Sequence, residues 1–97
     1  MFDEPDSIVV PWLHRLASVG RTGSETGEQW YGQLVRNVLG IEPLLPAYGL
    51  FLQNMMRMGY ARYVQDEHGL VQPRQIEITS SGRRWLESQP ADEVSRT

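Results

Sequence analysis

The sequence predicts a mostly helical α+β domain, and three local patterns support this fold class. Trp30, Leu34 and Val38 recur every four residues, with a second apolar residue beside each, which is typical of an amphipathic helix. Two isoleucines alternate with polar residues in the stretch QIEI, which is typical of a half-buried strand. A pair of hydroxyl residues follows that strand directly and predicts the cap of a further helix.

Length and composition indicate one globular domain. The chain has 97 residues, of which 40% are hydrophobic and 22% charged, which are ordinary values for a single core. It contains no cysteine, which excludes disulfides and thiolate metal sites and suits the reducing cytoplasm. No apolar run approaches about 18 residues, so we expect no membrane span. We expect a folded domain over residues 7–88, between flexible tails at 1–6 and 89–97.

The charge distribution is uneven along the chain. The formal net charge is -3, which by itself disfavours nucleic acid as a partner. Several of the acids fall in the two predicted tails, and the body of the chain between them is slightly basic. All nine basic residues are arginines, which bind phosphates and guanine edges better than lysines do. A compositional bias of the source genome would explain the same preference.

Two helices are predicted in the first half of the chain. Ser7 is placed to cap a helix over residues 8–18. The inward side of this first helix is expected to carry Trp12, Leu13, Leu16 and Val19. A polar loop, RTGSETG, follows it. Thr26 and Gln29 have the spacing of a capping box, which predicts a second helix that ends at Gly40.

A third helix is predicted over residues 46–58, with Gly59 at its end. Two prolines, Pro43 and Pro46, place a connection before it. Its inward face is expected to carry Tyr48, Leu52 and Met55, and its opposite face Gly49, Gln53, Asn54 and Arg57. The three methionines near its end are typical of flexible core filling, or alternatively of a ligand pocket or an adaptable partner surface.

A β-hairpin and a fourth helix complete the prediction. The stretches YARYVQ and LVQPRQIEI form the two strands, joined at a turn where Gly69 can take a positive φ. Pro73 cannot donate to a strand ladder and belongs on an edge or beside a bulge. Thr79 or Ser80 caps the fourth helix, and Gly82 in its first turn lets the helix lie close to the hairpin.

This order of elements resembles a winged helix-turn-helix. The residues that carry the resemblance are Leu52, Met55, Gly59 and Tyr60, then Ile78, Thr79, Gly82, Arg83 and Leu86. They are similar to motifs of winged-helix repressors, most of all the phenolic-acid and multiple-antibiotic-resistance regulator types. The resemblance covers residues 46–86. It predicts three helices, a hairpin wing and a C-terminal helix.

The resemblance implies a transcriptional regulator that binds double-stranded DNA. The third helix would enter the major groove, and the wing would contact the DNA backbone. The candidates that it implies for DNA contact are Thr26, Tyr48, Gly49, Gln53, Asn54, Arg57, Arg62 and Arg74. Tyr48, Gly49, Gln53 and Asn54 would face bases, where Gln and Asn suit adenine. The three arginines and the start of the second helix near Thr26 would meet phosphates.

Two further expectations concern partners. The apolar residues Trp12, Trp30 and Tyr31 offer more surface than a small core needs, which predicts a homodimer whose two reading helices meet two half-sites. The alternative function is a protein-interaction module, such as a bacterial, phage or plasmid accessory factor. The apolar side chains of Leu50 and Met56 on the exposed side of the third helix favour this alternative. The acidic residues of the hairpin turn also favour it, because they would repel DNA phosphates. An effector-sensing regulator with an aromatic pocket is a third possibility.

Catalytic chemistry is not expected. His14 and His68 are the only histidines, and they lie in a predicted helix and a predicted turn that nothing brings together. A metal site without cysteine would need both histidines and carboxylates. The stretch GRTGSETG lacks the lysine of a phosphate-binding loop and does not follow a strand. The sequence therefore predicts no enzyme, no cofactor and no metal.

Overall fold

A computed structural model of the protein describes residues 6–44 and 46–89. The fold is mostly helical α+β, as the sequence predicts. Its elements are α1 (Asp6–Val19), β1 (Arg21–Gly23), α2 (Ser24–Leu34), a π-helical turn (Val35–Leu39), α3 (Ala47–Arg57), β2 (Ala61–Gln65), β3 (Val71–Ile78) and α4 (Ser80–Glu87). No helix in the described part of the chain is long and apolar enough to cross a membrane. The predicted tails lie mostly outside the described residues, and Asp6 belongs to α1 rather than to the N-terminal tail.

The three strands form one antiparallel sheet in the order β1-β3-β2. The sequence missed β1, because this segment was predicted as a polar loop. Arg21 pairs with Glu77 and Gly23 with Gln75. A strand of three residues has no apolar alternation, and backbone hydrogen bonds alone define it. The hairpin strand β3 is therefore the centre of a three-stranded sheet.

The position of Pro73 is explained by a bulge. Tyr63 pairs with Ile76, but the next residue, Val64, pairs with Gln72, so the register shifts between them. Pro73 lies between these two partners in β3, in a stretch that has no partner residue in β2. A residue without an N–H can be accommodated there. Of the two predicted environments for Pro73, an edge or a bulge, the bulge is confirmed.

Helix α1 lies at the centre of the core. Trp12, Leu13 and Leu16 are fully buried, as predicted, and Trp12 Nε1 donates a hydrogen bond of 2.9 Å to the Gly27 carbonyl oxygen in α2. Val19 was predicted to face inward, but its side chain is 54% exposed. It is the last residue of the helix, and the chain turns away at Gly20, where φ is 82°, to enter β1.

Helix α2 begins earlier than predicted. Its N-cap is Gly23, and Thr26 lies inside the first turn, so the predicted capping box is not formed. The end at Gly40, with a φ of 70°, is confirmed. Between these points the helix widens into the π-helical turn, which changes the direction in which successive side chains point. Val38 and Leu39 are consequently 41% and 47% exposed rather than part of the inward stripe.

Helices α3 and α4 agree closely with the predictions. Tyr48, Leu52 and Met55 are buried on the inward face of α3, together with Phe51, whose ring contacts Trp12 edge-to-face at 4.9 Å. The Thr79 hydroxyl oxygen accepts a hydrogen bond of 2.9 Å from the Gly82 N–H, as an N-cap should, and its O–H donates to the Gly59 carbonyl oxygen.

The contact between α4 and the hairpin leaves no room for a side chain at position 82. A Cβ on Gly82 would overlap the Tyr60 carbonyl oxygen and lie 2.9 Å from Ile78 Cγ1. The Trp85 ring stacks on the Tyr60 ring, with centroids 4.9 Å apart. The predicted close approach of α4 to the hairpin is therefore confirmed.

Candidate nucleic-acid interface

The outward side of α3 is the surface that the sequence assigns to base contacts. Leu50, Gln53, Asn54 and Arg57 follow a spacing of three, one and three residues, which places them on one side of a helix. Gln53 and Arg57 are exposed, Asn54 is half-buried, and Leu50 is 59% exposed. Gly49 adjoins them and is also exposed, with no atom within 4 Å of the position of a Cβ. The structure therefore brings four of the five α3 candidates to one accessible region.

Tyr48 does not belong to this surface. Its side chain is 7% exposed and packs between Tyr31 and Phe51, with ring centroids 5.9 and 6.4 Å away. Tyr48 lies four residues before Leu52, which places both on the inward face of α3. The resemblance assigned it to bases although the periodicity assigned it to the core, and the structure agrees with the periodicity.

The Tyr48 hydroxyl is buried beside α2. A Cβ on Gly27 would lie 2.7 Å from Tyr48 Oη, so only a glycine fits there. The Ser24 side chain lies nearby, but among the described residues no group makes a hydrogen bond of good geometry with Tyr48 Oη. Burial raises the pKa of Tyr48, and this effect outweighs the lowering by Ser24.

Two of the α3 candidates, Asn54 and Arg57, are hydrogen-bonded to each other. Arg57 Nη2 donates a hydrogen bond of 2.6 Å to Asn54 Oδ1. Residues three apart in a helix are neighbours on its surface, so this bond needs no support from another element. The result is a polar pair on the last two turns of α3, with the Arg57 guanidinium at the C-terminal end.

Arg62 is engaged in an ion pair that the sequence analysis missed. Glu77, in the central strand, accepts a hydrogen bond of 2.8 Å from Arg62 Nε and pairs with Arg21 Nη2 at 3.3 Å. The two arginines are more than 60% exposed, whereas the Glu77 side chain is 15% exposed. One carboxylate thus offsets part of the charge of both arginines across all three strands. The sequence did not show the contribution of Arg21, because β1 carries no strand signal, and Arg62 meets Glu77 only through the register shift beside Val64.

The structure brings Thr26 and Arg74 together. Both line an open cleft of about 640 Å³ at the N-terminus of α2. The remaining lining residues are Gly23, Ser24, Glu25 and Gln75. The first backbone N–H groups of α2 have no side-chain cap, and together with the Arg74 guanidinium they favour an anion, whereas the Glu25 carboxylate opposes one.

The aromatic residues expected to form a dimer interface are instead part of the core. Trp12 is fully buried, Tyr31 is 7% exposed, and Trp30 packs against the core from its edge. Exposed aliphatic side chains occur elsewhere, between α2 and α3. They are Val38, Leu39, Ile41 and Leu44, which are 41%, 47%, 58% and 78% exposed.

Comparison with known proteins adds no family assignment. No protein-family model, curated protein or solved structure matches this chain. Within residues 6–44 and 46–89, no three His, Asp or Glu side chains are grouped so that they could hold a metal ion.

Proposed function

We propose that this protein is a small winged-helix DNA-binding protein, a transcriptional regulator of bacterial or phage origin that acts in the cytoplasm. In this proposal α3 enters the major groove and the hairpin of β2 and β3 contacts the backbone. One observation carries it: the outward side of α3 presents Gln53, Asn54 and Arg57 together, and a hairpin follows the helix after a single left-handed glycine, Gly59. Amide and guanidinium groups on one helix side are the groups that read base edges.

Phosphate contacts are assigned to the arginines around this helix. Arg57 lies at the end of α3, and Arg74 lies with Thr26 at the start of α2, where backbone N–H groups also favour anions. Arg62 contributes less in this proposal, because Glu77 already neutralises part of its charge. The small number of unpaired cations predicts weak binding by a single copy.

We propose that a second copy of the chain compensates for this weakness. Val38, Leu39, Ile41 and Leu44 form an exposed aliphatic segment, and the ion pair of Arg36 with Glu42 at 3.4 Å lies beside it. In a two-fold dimer the same patch meets itself, so the apolar groups would cover each other and each Arg36 could face the Glu42 of the other copy. The molecule measures 41 × 31 × 26 Å, so two adjacent copies match half-sites about 34 Å apart.

Fluorescence anisotropy of a labelled mixed-sequence duplex tests DNA binding. We expect binding at about 50 mM salt that falls about ten-fold or more at about 200 mM, because phosphate contacts release counterions. Arg57→Ala should weaken binding several-fold. Arg83→Ala removes the same charge from the exposed surface of α4 and is the matched control. Absence of binding at the lower salt concentration would contradict the proposal.

Sedimentation velocity at tens of micromolar tests the dimer. We expect a dimer for the unaltered chain and a monomer for Leu44→Glu, because the charge would be buried between the copies. Leu70→Glu is the matched control, since Leu70 is 65% exposed and lies by the hairpin turn. A monomeric unaltered chain, or equal effects of both substitutions, would refute this interface.

A protein-interaction module is the second candidate function. Leu50 is 59% exposed in the middle of the outward side of α3, where an apolar side chain favours a protein partner. Met56, expected beside it, is half-buried and packs against the core, so the two do not form one patch. Two results together would favour this candidate. The protein would fail to bind the duplex, and it would capture a protein partner that Leu50→Asp loses and Leu70→Asp retains.

A further inference from the structure

The hydrogen bond between Asn54 and Arg57 determines which groups α3 presents. Arg57 Nη2 lies 2.6 Å from the Asn54 amide, and an arginine side chain contains only donors. The amide atom that faces Arg57 must therefore be the oxygen, Oδ1. The Asn54 N–H groups are then left for an external partner, together with the remaining N–H groups of Arg57.

A pair that presents mainly donors matches adenine poorly. Asparagine reads adenine with two atoms at once, its oxygen accepting from N6 and its nitrogen donating to N7. Arg57 takes one of the two lone pairs of Oδ1 and holds its positively charged N–H groups beside this oxygen, so a second donor such as adenine N6 is disfavoured there. Guanine instead presents two acceptors, N7 and O6, in the major groove. A DNA phosphate also presents only acceptors, so it shares this chemistry.

Gln53 provides an internal contrast. It precedes Asn54 on the same exposed side of α3, and none of the described residues forms a hydrogen bond with its side chain. Its amide therefore keeps both a donor and an acceptor, which is the combination that reads adenine. Neighbouring residues of one helix thus present different hydrogen-bonding patterns, although their amide groups are chemically the same.

We propose that Asn54 and Arg57 act as one unit that reads guanine in the major groove, beside an adenine read by Gln53. This inference rests on the proposed function, because it concerns how α3 discriminates bases. In this inference Arg57 contacts guanine rather than the phosphate assigned to it above, and its position supports this. The pair lies on the same side of α3 as Leu50, and an apolar side chain suits the thymine methyl group of a groove rather than a charged backbone.

Arg57→Ala should change the base that α3 prefers. Removal of the guanidinium takes the competing donors and the positive charge away from Asn54 Oδ1, so the amide can pair with adenine. Selection from a randomised duplex pool should recover sites that contain guanine at one position for the unaltered protein. The same position should change to adenine for Arg57→Ala. Arg83→Ala lowers the charge equally and should leave the preference for guanine in place.

Substitution of 7-deazaguanine at the selected position removes the N7 acceptor without changing base pairing. We expect the affinity of the unaltered protein to fall about ten-fold and that of Arg57→Ala to change less than two-fold, since a bidentate contact discriminates bases strongly. Circular dichroism of the variants controls for folding.

The outcomes separate the inference from the proposed function. Binding with the predicted change of base supports both. Binding with equal affinity for duplexes with and without guanine shows that the pair contacts phosphate, and this overturns the inference while the DNA-binding function stands. A uniform loss of affinity in Arg57→Ala, with guanine still preferred, also overturns it. No binding to any duplex, even at low salt, overturns the function and the inference together.

Discussion

The junction of α4 with the hairpin and the outward side of α3 differ in how tightly each is packed. At the junction, a Cβ on Gly82 would overlap the Tyr60 carbonyl oxygen, and the Thr79 hydroxyl both accepts and donates a hydrogen bond. On α3, a Cβ on Gly49 would meet nothing within 4 Å. Stability therefore depends on single atoms at the junction, whereas the α3 surface can vary in what it presents without cost to the fold.

The largest effect is expected from Gly82→Ala. The added methyl group has to displace Tyr60 and Ile78, which should lower the free energy of unfolding by about 3 kcal/mol. Gly49→Ala is the matched control. It adds the same group to open space in a helix and should raise the free energy of unfolding by up to about 1 kcal/mol. Urea denaturation measures both, and equal effects would remove the contrast between the two regions.

Thr79→Ala should have the next largest effect. It removes the N-cap of α4 and the hydrogen bond to Gly59, and we expect a loss of about 1–2 kcal/mol in the free energy of unfolding. Thr79→Ser keeps the hydroxyl group and should recover most of this loss. A stability in Thr79→Ala that equals the unaltered protein would show that the hydroxyl contributes nothing to the junction.

Tyr48→Phe tests whether the inward face of α3 is separate from the outward side. The substitution removes a buried hydroxyl that lacks a well-formed hydrogen bond, so the free energy of unfolding should stay equal or rise by about 1 kcal/mol. Duplex affinity should not change, because the ring lies in the core. A fall in affinity would place Tyr48 at the interface with DNA.

The same substitution has a consequence for pH dependence. Burial raises the pKa of Tyr48 in the folded state, so the stability linked to its protonated form is present below pH ~10 and is lost as the pH rises further. The free energy of unfolding of the unaltered protein should therefore fall more steeply above pH ~10 than that of Tyr48→Phe. Parallel curves in urea denaturation at alkaline pH would contradict this assignment.

The smallest effect on stability is expected from Glu77→Gln. It releases Arg21 and Arg62 from a pair on the sheet surface and should cost less than about 1 kcal/mol of unfolding free energy. Duplex affinity should increase about three-fold, with a steeper salt dependence, because two cations become available to phosphates. Glu42→Gln removes the same charge beside Arg36 and is the control. Equal affinity changes would show that the sheet arginines do not contact DNA.

Local rules were sufficient for the segments that interact with near neighbours in the chain. The inward face of α3 and its end at Gly59 were predicted, and the cap of α4 was predicted at Thr79 or Ser80, of which Thr79 is the cap. Helical period, glycine conformation and hydroxyl capping all act within a few residues. Gly82 was also predicted, since a glycine in the first turn after a strand indicates close packing. The composition of the α3 surface followed directly from the period of the helix.

Only the tertiary structure decided which of these groups are available and what they contact. β1 exists because Arg21–Gly23 meets β3 across more than fifty residues of chain, and this pairing brings Arg21 to the carboxylate that Arg62 also contacts. Tyr48 is buried because α2 and α3 pack together, and the orientation of Asn54 depends on the rotamer of Arg57. Such contacts depend on register and rotamers, which residue order along a chain does not encode locally.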